Sequence, residues 1–263
     1  MSFEARLSKG KAFKQVVAAM NGLLTEVVFE CSAKGMTVNS MDSNHVSLVH
    51  LLLKSSGFEQ YSAPTRNVSV GIGLATLLSV LRSCGDDDAL TLKHGEGDPL
   101  SLLFEPEGQA RVSLFKLNLL NIDYDPTGIP SLDYDCEFSM PSVEFQRITR
   151  ELHAFGETLV IRAAKTGVEF SVKGSSGSGS IVLKDLDIHL KNKVVTVMAL
   201  RYVCMFARAA PLSESVIIKF GADTPMQVEY VLNDKLGVVQ YHLAPKLDDE
   251  IETGAGERDG EEE

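Results

Sequence analysis

The chain has 263 residues, 44% of them hydrophobic, enough for one large domain or two ordinary ones. Its formal net charge is −11, with 36 Asp and Glu against 25 Lys and Arg. That balance argues against a nucleic-acid binder that works through an overall basic surface. No apolar run reaches the length of about 18 residues that a membrane-spanning helix needs.

The N-terminal MSFEARLSKGK lacks the apolar core expected of a secretory signal. A first helix is predicted over 10–22, where Phe13, Val16, Val17 and Met20 repeat at helical spacing. Short β-rich runs follow, among them TEVVFEC and HVSLVHLLL. NVSVGIGLAT has the look of strand, G-x-G turn and helix, but Thr76 stands where a dinucleotide fingerprint needs its third glycine. Helix two is predicted over 74–84 on Leu74, Leu77, Leu78 and Leu81, with Asp86, Asp87 and Asp88 as the loop tip behind it. LSLLFE and RVSLFKL continue the strands. At the midpoint IDYDPTGIPSLDYD holds two prolines and a glycine, so it is expected to be an extended connector. Helix three, 142–155, carries Phe145, Ile148 and Leu152 with Thr149 filling the remaining stripe position. TLVIRAA and SIVLK read as strands, and GSSGSGS at 174–180 as a flexible loop. Helix four, 200–210, carries Leu200, Val203, Cys204 and Ala207, with SVIIKF and MQVEYVL as strands after it. Beyond Leu247 nine acids and one arginine predict a disordered tail.

The elements repeat. An offset of 132 residues aligns Phe13 with Phe145, Val16 with Ile148, Met20 with Leu152, Val28 with Val160 and Gly35 with Gly167. An offset of 126 aligns Leu81 with Ala207, Arg82 with Arg208, Lys93 with Lys219, Gly95 with Gly221 and Pro99 with Pro225. The chain is therefore read as a tandem duplication with the connector between its copies. The expected fold class is α+β, with two helices on one face of a largely antiparallel sheet in each half. The expected bounds are 1–118 and 136–249 for the two domains, 119–135 for the connector and 250–263 for the tail.

Charge is distributed unevenly. The four predicted helices carry Lys11, Lys14, Arg82, Arg147, Arg150, Arg201 and Arg208 but only the acids Glu144 and Glu151. At about 100° per residue these basic residues fall away from the apolar stripe. If the four helices line one surface, it is positive while the rest of the protein is negative, which suits a polyanion met on one side only. Signals for catalysis are weak. The six histidines form no H-E-x-x-H pattern, and GSSGSGS is not a nucleophile elbow. The aspartate clusters leave a metal-dependent DNA enzyme as the rival reading. A protein scaffold that does not touch DNA is a third. The four cysteines, 31, 84, 136 and 204, lie far apart without C-x-x-C, which favours free thiols in a reducing compartment. The Asn67-Val68-Ser69 sequon is read as chance.

FEARL, NSMDSNHVSLVHL, TGIP, MALRY and YHLAPKLDDE resemble the proliferating cell nuclear antigen family of eukaryotic DNA sliding clamps, over the whole chain to about residue 250. The resemblance implies a nuclear, non-catalytic homotrimeric ring without cofactor or metal, encircling double-stranded DNA regardless of sequence. It implies a processivity factor for replication and repair that docks DNA polymerases, clamp loader, nuclease and ligase through PIP-box peptides, with no membrane role. Geometry agrees: helices packed about 10 Å apart leave a hole of roughly 15 Å with eight and roughly 28 Å with twelve. Only the larger clears a DNA duplex, so three four-helix chains are the smallest ring that does. By resemblance Lys14, Arg82, Arg147, Arg150, Arg201 and Arg208 face DNA, with Lys11 joined to them by its helix face, while Ser79 and Asn21 stand where the family often has lysine. The partner-peptide pocket falls on Met41, His45, Val46, Leu48, Thr127, Gly128, Ile129, Pro130, Pro225, Ala244, Pro245 and Leu247. Pro126 and Thr127 depart from the family's usual polar residue and leucine there. The subunit interface falls on Arg111, Ser113, Phe115 and Leu117 against Gly179, Ile181, Val182 and Leu183, and Lys165 matches a lysine that accepts ubiquitin. The turn after Leu183 is shorter than the family's acidic loop.

Overall fold

The computed structural model describes residues 2–65, 67–108, 110–123, 128, 132–233 and 236–246. The first half runs β1 (Phe3–Leu7), α1 (Lys11–Met20), β2 (Glu26–Ser32), β3 (Gly35–Met41), β4 (Ser47–Lys54), β5 (Gln60–Ser62), β6 (Val68–Gly73), α2 (Leu74–Leu81), β7 (Ala89–His94), β8 (Leu100–Glu105) and β9 (Ser113–Leu117). The second half repeats it: β10 (Cys136–Pro141), α3 (Ser142–His153), β11 (Thr158–Ala164), β12 (Gly167–Gly174), β13 (Gly177–Leu183), β14 (Ile188–Leu190), β15 (Val194–Ala199), α4 (Leu200–Phe206), β16 (Ser215–Phe220), β17 (Met226–Val231) and β18 (Gly237–Leu243).

The duplication holds strand by strand. A five-stranded sheet is ordered β5-β1-β7-β8-β9, and a four-stranded sheet β13-β12-β11-β15. The third sheet has nine strands, β14-β10-β16-β17-β18-β4-β3-β2-β6. It is the second half's five-stranded sheet joined to the first half's four-stranded sheet, and the joint is the antiparallel pair β18–β4, from Gly237↔Leu53 to Leu243↔Ser47. Gly35 and Gly167, matched by the repeat, share the same local need. Both have positive φ (139° and 142°), and a Cβ at either would stand about 2 Å from the Leu53 or Leu183 carbonyl oxygen.

The helices lie on one side of the sheets because each presents one apolar stripe. Phe13, Val16, Val17 and Met20 of α1, Leu74, Leu77 and Leu81 of α2, Phe145, Ile148, Thr149 and Leu152 of α3, and Leu200, Val203 and Phe206 of α4 are all buried. Cys204 is only half-buried, and all four cysteines are free thiols. Helix four is shorter than the stripe predicts. It gives way at Ala207 to a 3₁₀ turn, Ala207–Leu212, which contains Pro211, a residue with no amide to donate.

GSSGSGS is not a flexible loop. Gly174 pairs with Gly177 across the two residues Ser175 and Ser176, and Gly177–Leu183 is strand β13. Gly177 has a positive φ of 150° that a tight hairpin accepts, and Gly179 lies so close to Leu152 and Phe155 that a Cβ there would be tight. Small residues here serve packing.

The joint between the halves depends on close backbone approach. A Cβ at Gly237 would lie 1.8 Å from the Leu52 carbonyl oxygen. Gly237→Ala is expected to cost about 1–3 kcal/mol in chemical unfolding and to expose the amides of the β4–β18 pair first in hydrogen exchange. Unaltered protection at Val239 and Leu51 would contradict this.

Candidate nucleic-acid interface and partner surfaces

Helix α1 packs on α2, α3 on α4, and both α1 and α3 touch the 3₁₀ turn after α4, so the four helices form one layer. Arg208, from that turn, reaches the end of α1, where a Cβ on Gly22 would stand 3.0 Å from its Nη1. The seven basic residues predicted for this layer are all in it, but their surroundings differ. Lys11 and Lys14 both pair with Asp86, at 3.5 and 3.4 Å. Arg147 pairs with Glu144 at 2.6 Å and reaches Glu151 at 4.0 Å. Among the described residues Arg82, Arg150, Arg201 and Arg208 form no ion pair. Arg150, Arg201 and Arg208 converge with His153 on a groove of about 490 Å³ between α3 and α4. Arg201 also stacks over the Tyr202 ring, its guanidinium carbon 4.8 Å from the centroid.

The predicted interface strands are the open edges of two sheets. β9 ends the five-stranded sheet and β13 the four-stranded one. Arg111 precedes β9, its Nε donating to Ser113 Oγ at 3.3 Å. Phe115 packs inward on Phe104, with ring centroids 5.4 Å apart, whereas Val182 is 52% exposed. Two apolar residues the sequence reading passed over, Val112 and Leu114, are 60% and 57% exposed along the same edge. The alternation of outward apolar residues in RVSLFKL was the available signal.

The predicted peptide pocket is drawn together by strand register. Met41 pairs with Leu48 and Leu48 with His242, and the Ala244 amide donates to the Val46 carbonyl at 3.0 Å. Met226 pairs with Leu243, which sets Pro225 beside that end, and Pro245 follows Ala244. The loop that presents His45 and Val46 is built by Asp42. Its carboxylate accepts from the amides of Ser47 at 2.8 Å, Val46 at 2.9 Å and Asn44 at 3.1 Å, and from the Tyr202 hydroxyl at 2.8 Å. That last bond joins α4 of one half to a loop of the other. Burial alone would raise the Asp42 pKa, but these donors outweigh it and hold it below the usual carboxylate range. The Asp-x-Asn of SMDSNHV signals such a turn, although the sequence reading quoted it only for resemblance. His242 was also missed. It is buried with both ring nitrogens unpartnered, and burial, then His50, pulls it down to about 4.

Of the connector, Gly128 is exposed, with no atom within 4 Å of where a Cβ would stand. Thr127, Ile129, Pro130 and Leu247 lie outside the described residues, as does the tail. The flanks are anchored. The Leu120 amide donates to Gly71 at 2.9 Å, and the Asp135 carbonyl accepts from Lys191 at 2.8 Å. A cleft of about 480 Å³, lined by Leu23, Val28, Met41, His45 and Ile122 among others, opens beside the connector's start. Lys165 is exposed in the turn between β11 and β12.

Asp42→Asn is expected to lose about 1–3 kcal/mol of stability at neutral pH, because buried donors lose their acceptor. The sign follows from the lowered pKa. The carboxylate's contribution is present above its unfolded pKa of about 3.9 and disappears as pH falls through the lower folded value. The gap between native and variant in urea melts therefore narrows in acid. A gap constant down to acid unfolding would assign the loss to something other than the carboxylate.

Two family models cover almost the entire chain. The proliferating cell nuclear antigen N-terminal domain matches residues 2–127 and its C-terminal domain residues 128–246. With both matches, this duplicated α+β architecture is the DNA-clamp fold, and the chain belongs to the proliferating cell nuclear antigen family of sliding clamps.

Proposed function

We propose that the protein is a homotrimeric ring that encircles duplex DNA and acts without catalysis, as a processivity factor and docking platform. The observation that carries this reading is the joint β18–β4. Its strands have counterparts in β9 and β13, which are left as open edges. Open edges favour pairing with another chain. The pairings Leu100↔Leu117 and Met226↔Leu243 match β9 to β18 at an offset of 126. Met36↔Leu53 and Val168↔Leu183 match β13 to β4 at 130. Copying the joint between subunits puts Phe115 opposite Gly179, Ser113 opposite Ile181, and the exposed Val112 opposite the exposed Val182. Such head-to-tail contact generates a ring when its rotation closes, and three copies are the closure proposed.

The helix layer then faces the hole. Phosphate contacts carry no sequence information, which suits sliding, and topological closure lets each contact be weak. The pocket around Met41, Val46, Leu48, Pro225 and Ala244, completed by Ile129, takes a glutamine-aliphatic-aromatic-aromatic peptide. Such peptides would carry the polymerases, loader, nuclease and ligase of the nucleus. The domain bounds follow the duplication, and Lys165 is the candidate for ubiquitin attachment.

In solution the particle is expected to have about three times the 28.6 kDa chain mass. Val182→Asp or Leu114→Asp is expected to give folded monomers, because a charge would be desolvated between strands without a partner. Both variants staying trimeric would refute this interface. For the pocket, Thr127→Leu is expected to tighten a glutamine-aliphatic-aromatic-aromatic peptide by about 1–2 kcal/mol, the scale of one buried side chain. Ile129→Ala is expected to remove most binding in calorimetry. Full-strength binding to Ile129→Ala would move the docking site elsewhere.

A further inference from the structure

The two halves of the helix layer are built alike but not charged alike. Behind α2 the chain turns back over α1. Lys9 Nζ lies 2.7 Å from Asp87, and Lys11 and Lys14 reach Asp86. Lys14 also donates to the Cys84 carbonyl at 3.2 Å. The turn is fixed from within and without. Asp88 Oδ2 accepts the Gly85 amide at 2.7 Å, and its carbonyl accepts the Gly10 amide at 2.7 Å. The repeat supplies an internal control. At the offset of 126, Gly85 corresponds to Pro211 and Asp86 to Leu212, which is buried. Among the described residues no ion pair joins that second turn to α3 or α4. The guanidiniums of Arg150, Arg201 and Arg208 line their groove without a carboxylate partner.

We propose that Asp86 acts as an internal substitute for a DNA phosphate. It occupies Lys11 and Lys14, so the ring grips the duplex backbone chiefly through the α3/α4 groove, and Asp86 sets how strongly the first half joins in. This rests on the clamp reading above. A phosphate entering the hole must displace Asp86 from two lysines on one side. On the other it meets guanidiniums that hold neutral partners, Gln146 for Arg150 and Tyr202 for Arg201, and that, among the described residues, have no carboxylate to displace; their planar forks give two parallel hydrogen bonds to such an anion. Arg82 of the first half also has no ion pair among the described residues, and Arg147 of the second is held by Glu144, so three unpaired guanidiniums against one weight the grip to the second half of each subunit.

The test is equilibrium binding of the assembled protein to a linear DNA duplex, followed by fluorescence anisotropy across salt concentrations. Asp86→Asn is expected to tighten binding several-fold at low salt and to steepen the slope of log K against log salt by about 1–2, since each added phosphate contact contributes about 0.9. Glu96→Gln, the same charge change at an exposed turn far from the lysines, is the control and is expected to change little. The gain is expected to vanish in a Lys11→Ala/Lys14→Ala background, while that pair alone costs less than about twofold. Arg150→Ala/Arg208→Ala is expected to flatten the slope by about 2. The inference is overturned if Asp86→Asn matches Glu96→Gln, or if its gain survives without Lys11 and Lys14. Failure of the unaltered ring to bind duplex even at low salt would also overturn the inference, which needs an ionic grip, whereas loss of the loaded ring from intact nicked circles would overturn the clamp reading itself. Solution mass separates either result from loss of assembly, since exposed pairs such as Lys11–Asp86 contribute little to stability.

Discussion

Backbone hydrogen bonding at a sheet edge is the constraint from which the rest of this structure follows. Each half builds a five-stranded and a four-stranded sheet, and each such sheet ends in edge strands that have no further partner within their own half. Within the chain one such edge from each half is satisfied by the other, at β18–β4. Because the halves are duplicates, the counterparts of that pair, β9 and β13, are left as edges that the same pairing would join. In the proposed assembly the interface between subunits repeats the interface within one.

The helices divide the labour differently. Their apolar stripes hold the sheets, and their opposite faces carry seven cations in a protein that is acidic elsewhere. In the proposed ring, repulsion from the outer surface and attraction within the hole act together to orient a polyanion. The duplication is looser here than in the sheets. Backbone pairing fixes strand order, but exposed helix positions are free to diverge. One half has lysines held by a carboxylate turn, and the other, around a groove, has arginines with no carboxylate partner among the described residues.

Much of the architecture was legible in the sequence, for physical reasons. The helix stripes at 13–20, 74–81 and 145–152 are period patterns, and the structure buries them except Leu78, which is partly buried. Gly35 and Gly167 marked a repeat because only glycine tolerates their backbone angle beside a neighbouring carbonyl. What escaped depended on partners distant in sequence. GSSGSGS looked like a linker because its serines and glycines are small, yet β12 pairs with it and α3 packs on it. The occupancy of Lys11 and Lys14 by Asp86 needs a turn to fold back over about 70 residues of chain, which no local pattern announces. Asp42 was visible as a turn former, but its bond to Tyr202 on α4 was not. The roles of Val112 and Leu114 emerge only once β9 is known to be an edge.

The proposed function is topological, a ring that holds DNA by enclosing it. The most direct measurement loads the protein onto nicked circular DNA, washes in high salt to remove ionic contacts, and then linearises the circle. Enclosure predicts that the protein survives the wash on circles and is released when the DNA is cut. Equal retention on linear and circular DNA, or loss from intact circles in the wash, would contradict it.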